Sequence, residues 1–105
     1  MRPSIAVEDA VLSLGTNIRT ARLRRRLPQS VVAERAGVSL NTLSKAENGD
    51  CGISIGNMAS ILNALGLLPL LSSLASSDSD DAGLLLEEKN LPKRIRPKKK
   101  QPLSS

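Results

Sequence analysis

Near the N-terminus four apolar residues are separated by three, four and three positions: Val11, Leu14, Ile18 and Ala21. This spacing is the repeat of one face of an α-helix. It predicts a first helix over residues 8–26. Gly15 weakens the first half of that helix, so we expect a frayed start.

Start and stop signals divide the next forty residues into three more helices. Pro28 fits the first turn of a second helix that runs to Ala36, and Gly37 follows at the place where helices end in a left-handed residue. Ser39 is a natural N-cap for a third helix over residues 40–47. The inner face expected of the second helix comprises Val32, Ala33 and Ala36.

The third helix is stopped by Asn48 and Gly49, and a loop over residues 50–53 leads to Ser54, a second N-cap. The fourth helix then ends at Gly66. Its expected inner face comprises Met58, Ile61, Leu62 and Leu65.

After Gly66 the leucines again have helical spacing, with Pro69 acceptable in a first turn. They predict a short fifth helix, and the alternative is a brief strand that pairs with its counterpart in a second chain. Residues 72–83 form a Ser/Asp-rich linker, and residues 84–89 have the length of one or two helical turns. We expect a domain over residues 8–76, and an acidic linker with a basic, disordered tail over residues 77–105.

Composition narrows the fold and the chemistry. Apolar residues make up 40 % of the chain, but it contains no Phe, Tyr, Trp or His. A core of Leu, Ile, Val and Ala favours an all-α fold, a compact bundle of four to five helices. Without aromatic side chains there is no stacking platform for single-stranded nucleic acid. Without His, triad catalysis and most zinc sites are excluded, so we expect no enzyme, no metal and no cofactor.

The charge points to a polyanionic partner. The net charge is +5, and it is unevenly distributed: residues 76–89 hold five acidic groups and one Lys, whereas residues 90–105 hold six bases and no acid. A lone Cys51 fits a reducing cytosol. Early charges argue against a signal peptide, and the longest apolar stretch is too short to span a bilayer. We expect a cytoplasmic protein.

Residues 29–49 have the features of a helix-turn-helix. The small Ala33 lets two helices cross closely, Gly37 makes the turn, and Val38 and Leu43 fill the angle between them. An ordinary helical hairpin without DNA contact is the alternative interpretation. The polar residues at the start of the third helix argue against it, because Asn can bond adenine, Lys can donate to guanine and Leu can pack on a thymine methyl group.

The chain resembles the lambda-repressor-like (Cro/C1, XRE-type) helix-turn-helix family over roughly residues 12–67. The matching residues are Leu14, Gly15, Ile18, Arg19 and Arg22, then Ala46 to Gly49, and Leu62 to Leu67. Pro28 departs from the family, which often has a capping Ser or Thr there. The resemblance implies base contacts by Leu40, Asn41, Ser44 and Lys45. It implies backbone contacts by Gln29, Thr42 and Asn48, and we expect Ser39 to contact the DNA backbone as well.

In this family an Arg and a Glu at the positions of Arg22 and Glu47 form an ion pair that ties the first helix to the end of the third. The resemblance therefore implies this pair here, and Arg22 is also within reach of a phosphate. Arg24, Arg25 and Arg26 form a charge run at a helix end. The run is either a solvated cap that favours the helix dipole or a phosphate-contacting group, with Arg26 as the candidate.

The motif class binds DNA as two-fold symmetric dimers, because one recognition helix covers only about four or five base pairs. The leucines after Gly66 are the candidate interface: Leu67, Leu68, Leu70, Leu71 and Leu74. Left exposed, they would form an apolar patch. The alternative is that they fold back on the first or fourth helix.

Residues 84–96 resemble the end of a HipB-like antitoxin, the DNA-binding partner of a HipA-like serine/threonine kinase toxin. This resemblance implies a repressor of its own toxin–antitoxin operon that binds the kinase, in some systems with a further small protein. Two alternatives stay open. The chain is either an interaction module that mainly inhibits or scaffolds the toxin, or a free-standing phage-type regulator.

The basic tail has three interpretations. It adds nonspecific DNA affinity by releasing counterions, docks on an acidic face of a partner, or keeps the chain in solution. The acidic segment over residues 78–88 has the charge to screen the tail when no DNA is bound.

Overall fold

A computed structural model describes residues 2–90, which form six α-helices, one 3-10 helix and no strand. The helices are α1 (Ile5–Arg24), α2 (Gln29–Ala36), α3 (Leu40–Glu47), α4 (Ile55–Ala64), α5 (Leu68–Ser72) and α6 (Asp81–Asn90), with the 3-10 helix at Ser77–Ser79. The predicted all-α bundle with a helix-turn-helix is confirmed. The predictions for residues 91–105 lie outside the described residues.

The first helix begins earlier than its apolar stripe predicts. Ser4 is its N-cap, and the Ser4 hydroxyl accepts a hydrogen bond from the Val7 amide at 3.2 Å. A capped start satisfies an amide that has no partner inside the helix. The expected start near Glu8 is therefore wrong, since α1 is helical from Ile5 to Arg24. The frayed start stays a prediction.

Gly15 has a packing role that the sequence did not indicate. It is buried where α1 crosses the end of α3, and a Cβ atom there would lie 2.5 Å from the Ala46 carbonyl oxygen and 2.8 Å from that of Glu47. Both neighbours are backbone atoms, so they cannot turn aside as a side chain would. The missing side chain permits the close approach of the two helices.

The other helix ends follow the predicted signals. Gly37 has a φ of 70° and Gly66 a φ of 78°, both in the left-handed region that glycine tolerates. Ser39 and Ser54 each cap the helix that follows, accepting hydrogen bonds of 3.0 Å from the amides of Thr42 and Asn57. Pro28 lies just before α2 with an extended backbone and makes no side-chain cap.

One apolar core holds α1 to α5 together. Ile18, Val32, Leu43 and Ile61, from four different helices, are fully buried at its centre. All four residues expected on the inner face of α4 are buried too. The expected stripe of α1 is buried only in its second half, because Val11 is half-buried and Leu14 is exposed.

The chain divides between Ser73 and Leu74 into two compact units. In the second unit the 3-10 helix contacts α6, and none of the residues of these two elements is buried. The prediction of a linker up to residue 83 is wrong at its end, because α6 begins at Asp81. Asp80 accounts for this start, since its carboxylate accepts a hydrogen bond from the Gly83 amide at 3.0 Å.

The segment after Gly66 forms the predicted short helix, with Pro69 in its first turn. Residues 2–90 contain no strand, so the alternative of a strand there is wrong for the chain as described. Across these same residues, every helix is too short or too polar to cross a membrane.

Candidate nucleic-acid interface

A three-residue turn sets the angle between α2 and α3. Gly37 makes the turn in the left-handed conformation, and the Val38 amide donates to the Ala33 carbonyl oxygen at 3.0 Å. Ala33 is buried at the crossing and Leu43 is fully buried beneath α3. The turn and the core contacts together fix which face of α3 points outward.

That outward face carries three of the four residues predicted to contact bases. Leu40 is 52 % exposed, and Asn41 and Lys45 are exposed as well. Ser44, the fourth, is half-buried beside the face. An amide, an ammonium group and an apolar side chain together can recognise adenine, guanine and a thymine methyl group from the major groove.

The residues at the start of α3 are tied to one another. The Ser39 hydroxyl donates to the Thr42 hydroxyl at 2.9 Å and accepts from the Thr42 amide. Both residues were predicted to contact the DNA backbone, and here they also shape the cap of the helix. Asn48, the third residue predicted for the backbone in this region, is the exposed C-cap of α3.

Arg22 and Glu47 form a buried ion pair between α1 and α3. The Arg22 Nε donates to Glu47 Oε2 at 2.6 Å, and Nη2 donates to Oε1 at 3.0 Å. Nη1 donates to the Leu27 carbonyl oxygen at 3.0 Å. The exposed fractions of the Arg22 and Glu47 side chains are 9 % and 2 %. Such burial leaves little of the guanidinium for a phosphate, so the contact expected of Arg22 stays a prediction with no support from its position.

Gln29 joins this pair, which the sequence did not indicate. Its side-chain nitrogen Nε2 donates to Glu47 Oε1 at 3.0 Å. Gln29 is the first residue of α2 and is half-buried. Glu47 belongs to α3, and its carboxylate accepts hydrogen bonds from Arg22 of α1 and from Gln29 of α2. This one side chain therefore links three helices.

The arginine run after α1 has a strained member. Arg26 is exposed and has a φ of 54°, in the left-handed region that side chains other than glycine rarely adopt. Arg25 Nη1 donates to the Ala21 carbonyl oxygen at 2.8 Å, the interaction expected of a solvated cap. Arg26, the residue expected to contact phosphate, shows no such bond to residues 2–90.

A polar cavity of about 340 Å³ lies beside the exposed face of α3. It is lined by Thr42, Lys45, Asp50, Gly52, Ile53, Ser54 and Asn57. Thr42 and Lys45 were predicted to contact DNA, whereas no pattern in the sequence indicated that Asp50 and Asn57 would lie beside them. The one available signal was Ser54, the N-cap of α4, which shows that α4 begins only a few residues after α3 along the chain.

The leucines expected at a dimer interface differ in exposure. Leu67 and Leu71 pack against the core, and Leu68 is half-buried. Leu70 is 61 % exposed, and Leu74, which belongs to the second unit, is 68 % exposed. Folding back thus accounts for Leu67 and Leu71, and the exposed leucines are the ones a partner surface would have to cover.

Among residues 2–90, no group of carboxylate and thiol side chains is arranged to hold a metal ion.

The bundle is similar to a known family of domains. The model of a family described as a helix-turn-helix domain matches residues 13–73, which include α2, the turn and α3. No curated protein and no solved structure matches the chain.

Proposed function

The chain belongs to the helix-turn-helix domain family, which indicates a DNA-binding regulator, and on this premise we propose that it is a sequence-specific repressor. It acts by binding, without catalysis, as a dimer on operator DNA. The observation that carries this proposal is the exposed face of α3. There Asn41 and Lys45 lie outward on a helix whose opposite side is anchored by the buried Leu43 and Ala46. A rigid helix that presents these groups fits the major groove.

The backbone contacts belong to the same proposal. Gln29, Ser39 and Thr42 lie at the N-terminal ends of α2 and α3, where free amides and short polar side chains suit phosphate oxygens. Asn48 is the C-cap of α3, and its side-chain amide can donate to a phosphate. Arg26 adds a positive charge near the start of α2. A residue other than glycine in the left-handed conformation carries a cost in stability, and a function for its side chain would explain why it is there.

The experiment is a gel shift on the DNA upstream of the coding sequence, with Asn41→Ala/Lys45→Ala as the test variant. Each base-reading side chain contributes about 1–3 kcal/mol of discrimination, so the variant should lose most of its preference over a random duplex. Asn63→Ala/Lys89→Ala is the matched control, because it removes the same two residue types from exposed positions on α4 and α6. Undiminished specific binding by the test variant would refute the assignment of base contacts.

Dimerisation follows from the small amount of DNA that one helix can read. We propose Leu70 and Leu74 as its exposed contacts, with Leu68 at the edge. Replacing both exposed leucines by Ser should convert a dimer to a monomer in analytical ultracentrifugation, with the helical circular dichroism spectrum preserved and the melting temperature no longer dependent on protein concentration. A wild-type chain that sediments as a monomer both free and on DNA would contradict the proposal.

We further propose that the protein is the HipB-like antitoxin of a bacterial toxin–antitoxin operon, found with the nucleoid when bound to DNA. Its partner would be a HipA-like kinase. The resemblance over residues 84–96 supports this, as do the exposed Leu84, Leu85 and Leu86 of α6, which offer apolar surface to a partner. Footprinting on the upstream DNA with and without the product of the neighbouring reading frame tests it. A neighbour unrelated to kinases, with no effect on the footprint, would instead favour a free-standing regulator.

A further inference from the structure

We propose that Glu47 is a positioning residue that holds the side chain of Gln29 in the orientation needed to bind a DNA phosphate. This inference rests on the proposed DNA binding and assigns a second task to a residue already paired with Arg22. Its basis is the hydrogen bond of 3.0 Å from Gln29 Nε2 to Glu47 Oε1, which joins the first residue of α2 to the last of α3.

The ion pair makes this arrangement electrostatically acceptable. An unpaired carboxylate close to the start of α2 would repel a phosphate. Arg22 binds both Glu47 oxygens, at 2.6 and 3.0 Å, and the two side chains are almost fully buried. The pair therefore has no net charge, and Gln29 is held by a strong acceptor without a repulsive field around it.

The hydrogen bond also decides which way the Gln29 carboxamide faces. A carboxylate only accepts, so Nε2 must turn toward Glu47 and the amide oxygen must turn away. One of the two N–H groups on Nε2 is used by this bond. Within residues 2–90 the other has no acceptor, so it can donate to a ligand beside the helix.

The start of α2 is the place where such a donor is useful. Pro28 makes no side-chain cap, so the first amides of α2 are not satisfied by a side chain at that position. Amides at a helix N-terminus attract anions, and the half-buried Gln29 adds a fixed donor beside them. Its orientation is set before DNA arrives, which lowers the entropy lost on binding.

A double-mutant cycle separates positioning from a purely structural role. Gln29→Ala, Glu47→Gln and the double variant are tested with the upstream DNA and with a random duplex, well below each melting temperature. Gln29→Ala should lower affinity for both duplexes by about fivefold, the equivalent of one hydrogen bond, because phosphate contacts carry no sequence information. Ser30→Ala, at the exposed neighbouring position of α2, is the control and should bind as wild type does.

The coupling is the decisive result. Glu47→Gln should cost about fivefold when Gln29 is present but less than about twofold in the Gln29→Ala background. Equal losses in both backgrounds would show that Glu47 acts through the fold alone and would overturn the inference. So would unchanged affinity for Gln29→Ala.

A measurement without DNA keeps the inference testable if Glu47→Gln does not fold. In the NMR spectrum of the free wild-type protein, one side-chain amide proton of Gln29 should exchange more slowly than those of the exposed Asn63. Equally fast exchange would refute the positioning contact. A wild-type chain that prefers its upstream DNA but shows additive losses would refute this inference alone, whereas one that binds no duplex would refute the DNA-binding function as well.

Discussion

The two units of the chain differ in what makes them helical. In the first unit, residues 2–73, five helices share a core in which Ile18, Val32, Leu43 and Ile61 are fully buried. In the second, residues 74–90, α6 has three consecutive exposed leucines and no buried residue. Tertiary packing supplies most helix stability in proteins, and a helix as short as α6 is marginal by itself. A substitution in the core of the first unit should therefore lower the stability of all five of its helices. A substitution in the second unit should change little, because α6 has no buried contact to lose.

The largest expected effect is on the buried ion pair. Glu47→Ala leaves the Arg22 charge buried without its partner and should lower the free energy of unfolding by about 3–5 kcal/mol. Chemical denaturation followed by circular dichroism measures it. Glu34→Ala, which removes an exposed glutamate from α2, is the matched control and should change little. If the two variants were equally stable, the first unit would not depend on its buried pair.

Gly15→Ala is expected to come next. The added Cβ would meet the Ala46 and Glu47 carbonyl oxygens at 2.5 and 2.8 Å, so α1 and α3 must move apart, at a cost of about 1–3 kcal/mol. Gly56→Ala is the control in α4, where the nearest atom would lie 4.0 Å away. Thermal melts should show a loss for the first variant and none for the second. A stabilised Gly15→Ala protein would mean that the helices do not pack this closely.

A third pair of variants compares the units directly, since each contains a residue with an unfavourable positive φ: Arg26 at 54° and Ala75 at 56°. Arg26→Gly relieves the left-handed strain and should raise the free energy of unfolding of the first unit by up to about 1 kcal/mol. If Arg26 binds a phosphate, the same variant should also bind DNA more weakly. Ala75→Gly relieves similar strain outside the core unit and should leave the melting temperature of the first unit unchanged. A shift of equal size in both would show that the two units unfold together.

The smallest expected effect is on α6. Replacing Leu84, Leu85 and Leu86 by Ser removes exposed side chains, so the free energy of unfolding, measured by chemical denaturation, should stay within about 0.5 kcal/mol of the wild-type value. Helicity of residues 81–90, followed by amide hydrogen exchange, should be weak in both proteins. A marked loss of stability would show that the leucines are covered in the folded protein and would end the contrast between the units.

Local signals predicted most helix boundaries. Ser39 and Ser54 as caps, and Gly37 and Gly66 as left-handed ends, act through neighbours three or four residues away, so the sequence contains all the information they require. Ser4 and Asp80 are caps of the same kind that were missed. Neither precedes a strong apolar repeat, and the pattern of α1 suggested a later start.

The geometry of the candidate interface was predicted in part. The helical repeat of residues 40–47 is enough to separate the buried Leu43 from the exposed Asn41 and Lys45. The cavity beside α3 was not predicted, because Asp50 and Asn57 reach it through the loop and the first turn of α4. Resemblance to a family implied the pairing of Arg22 with Glu47, and nothing in the pattern implied Gln29.

By itself, the sequence determined the class of fold, the helix-turn-helix and the face of α3 that is exposed. These depend on short-range spacing and on the conformational preferences of Gly, Ser and Pro. Only the tertiary structure decided that Gly15 is a contact point between helices, that Leu71 belongs to the core while Leu70 does not, and that Gln29 is bound by Glu47. The reason is distance along the chain: Gln29 and Arg22 lie 18 and 25 residues from Glu47, and only folding brings them within 3.0 Å of its carboxylate.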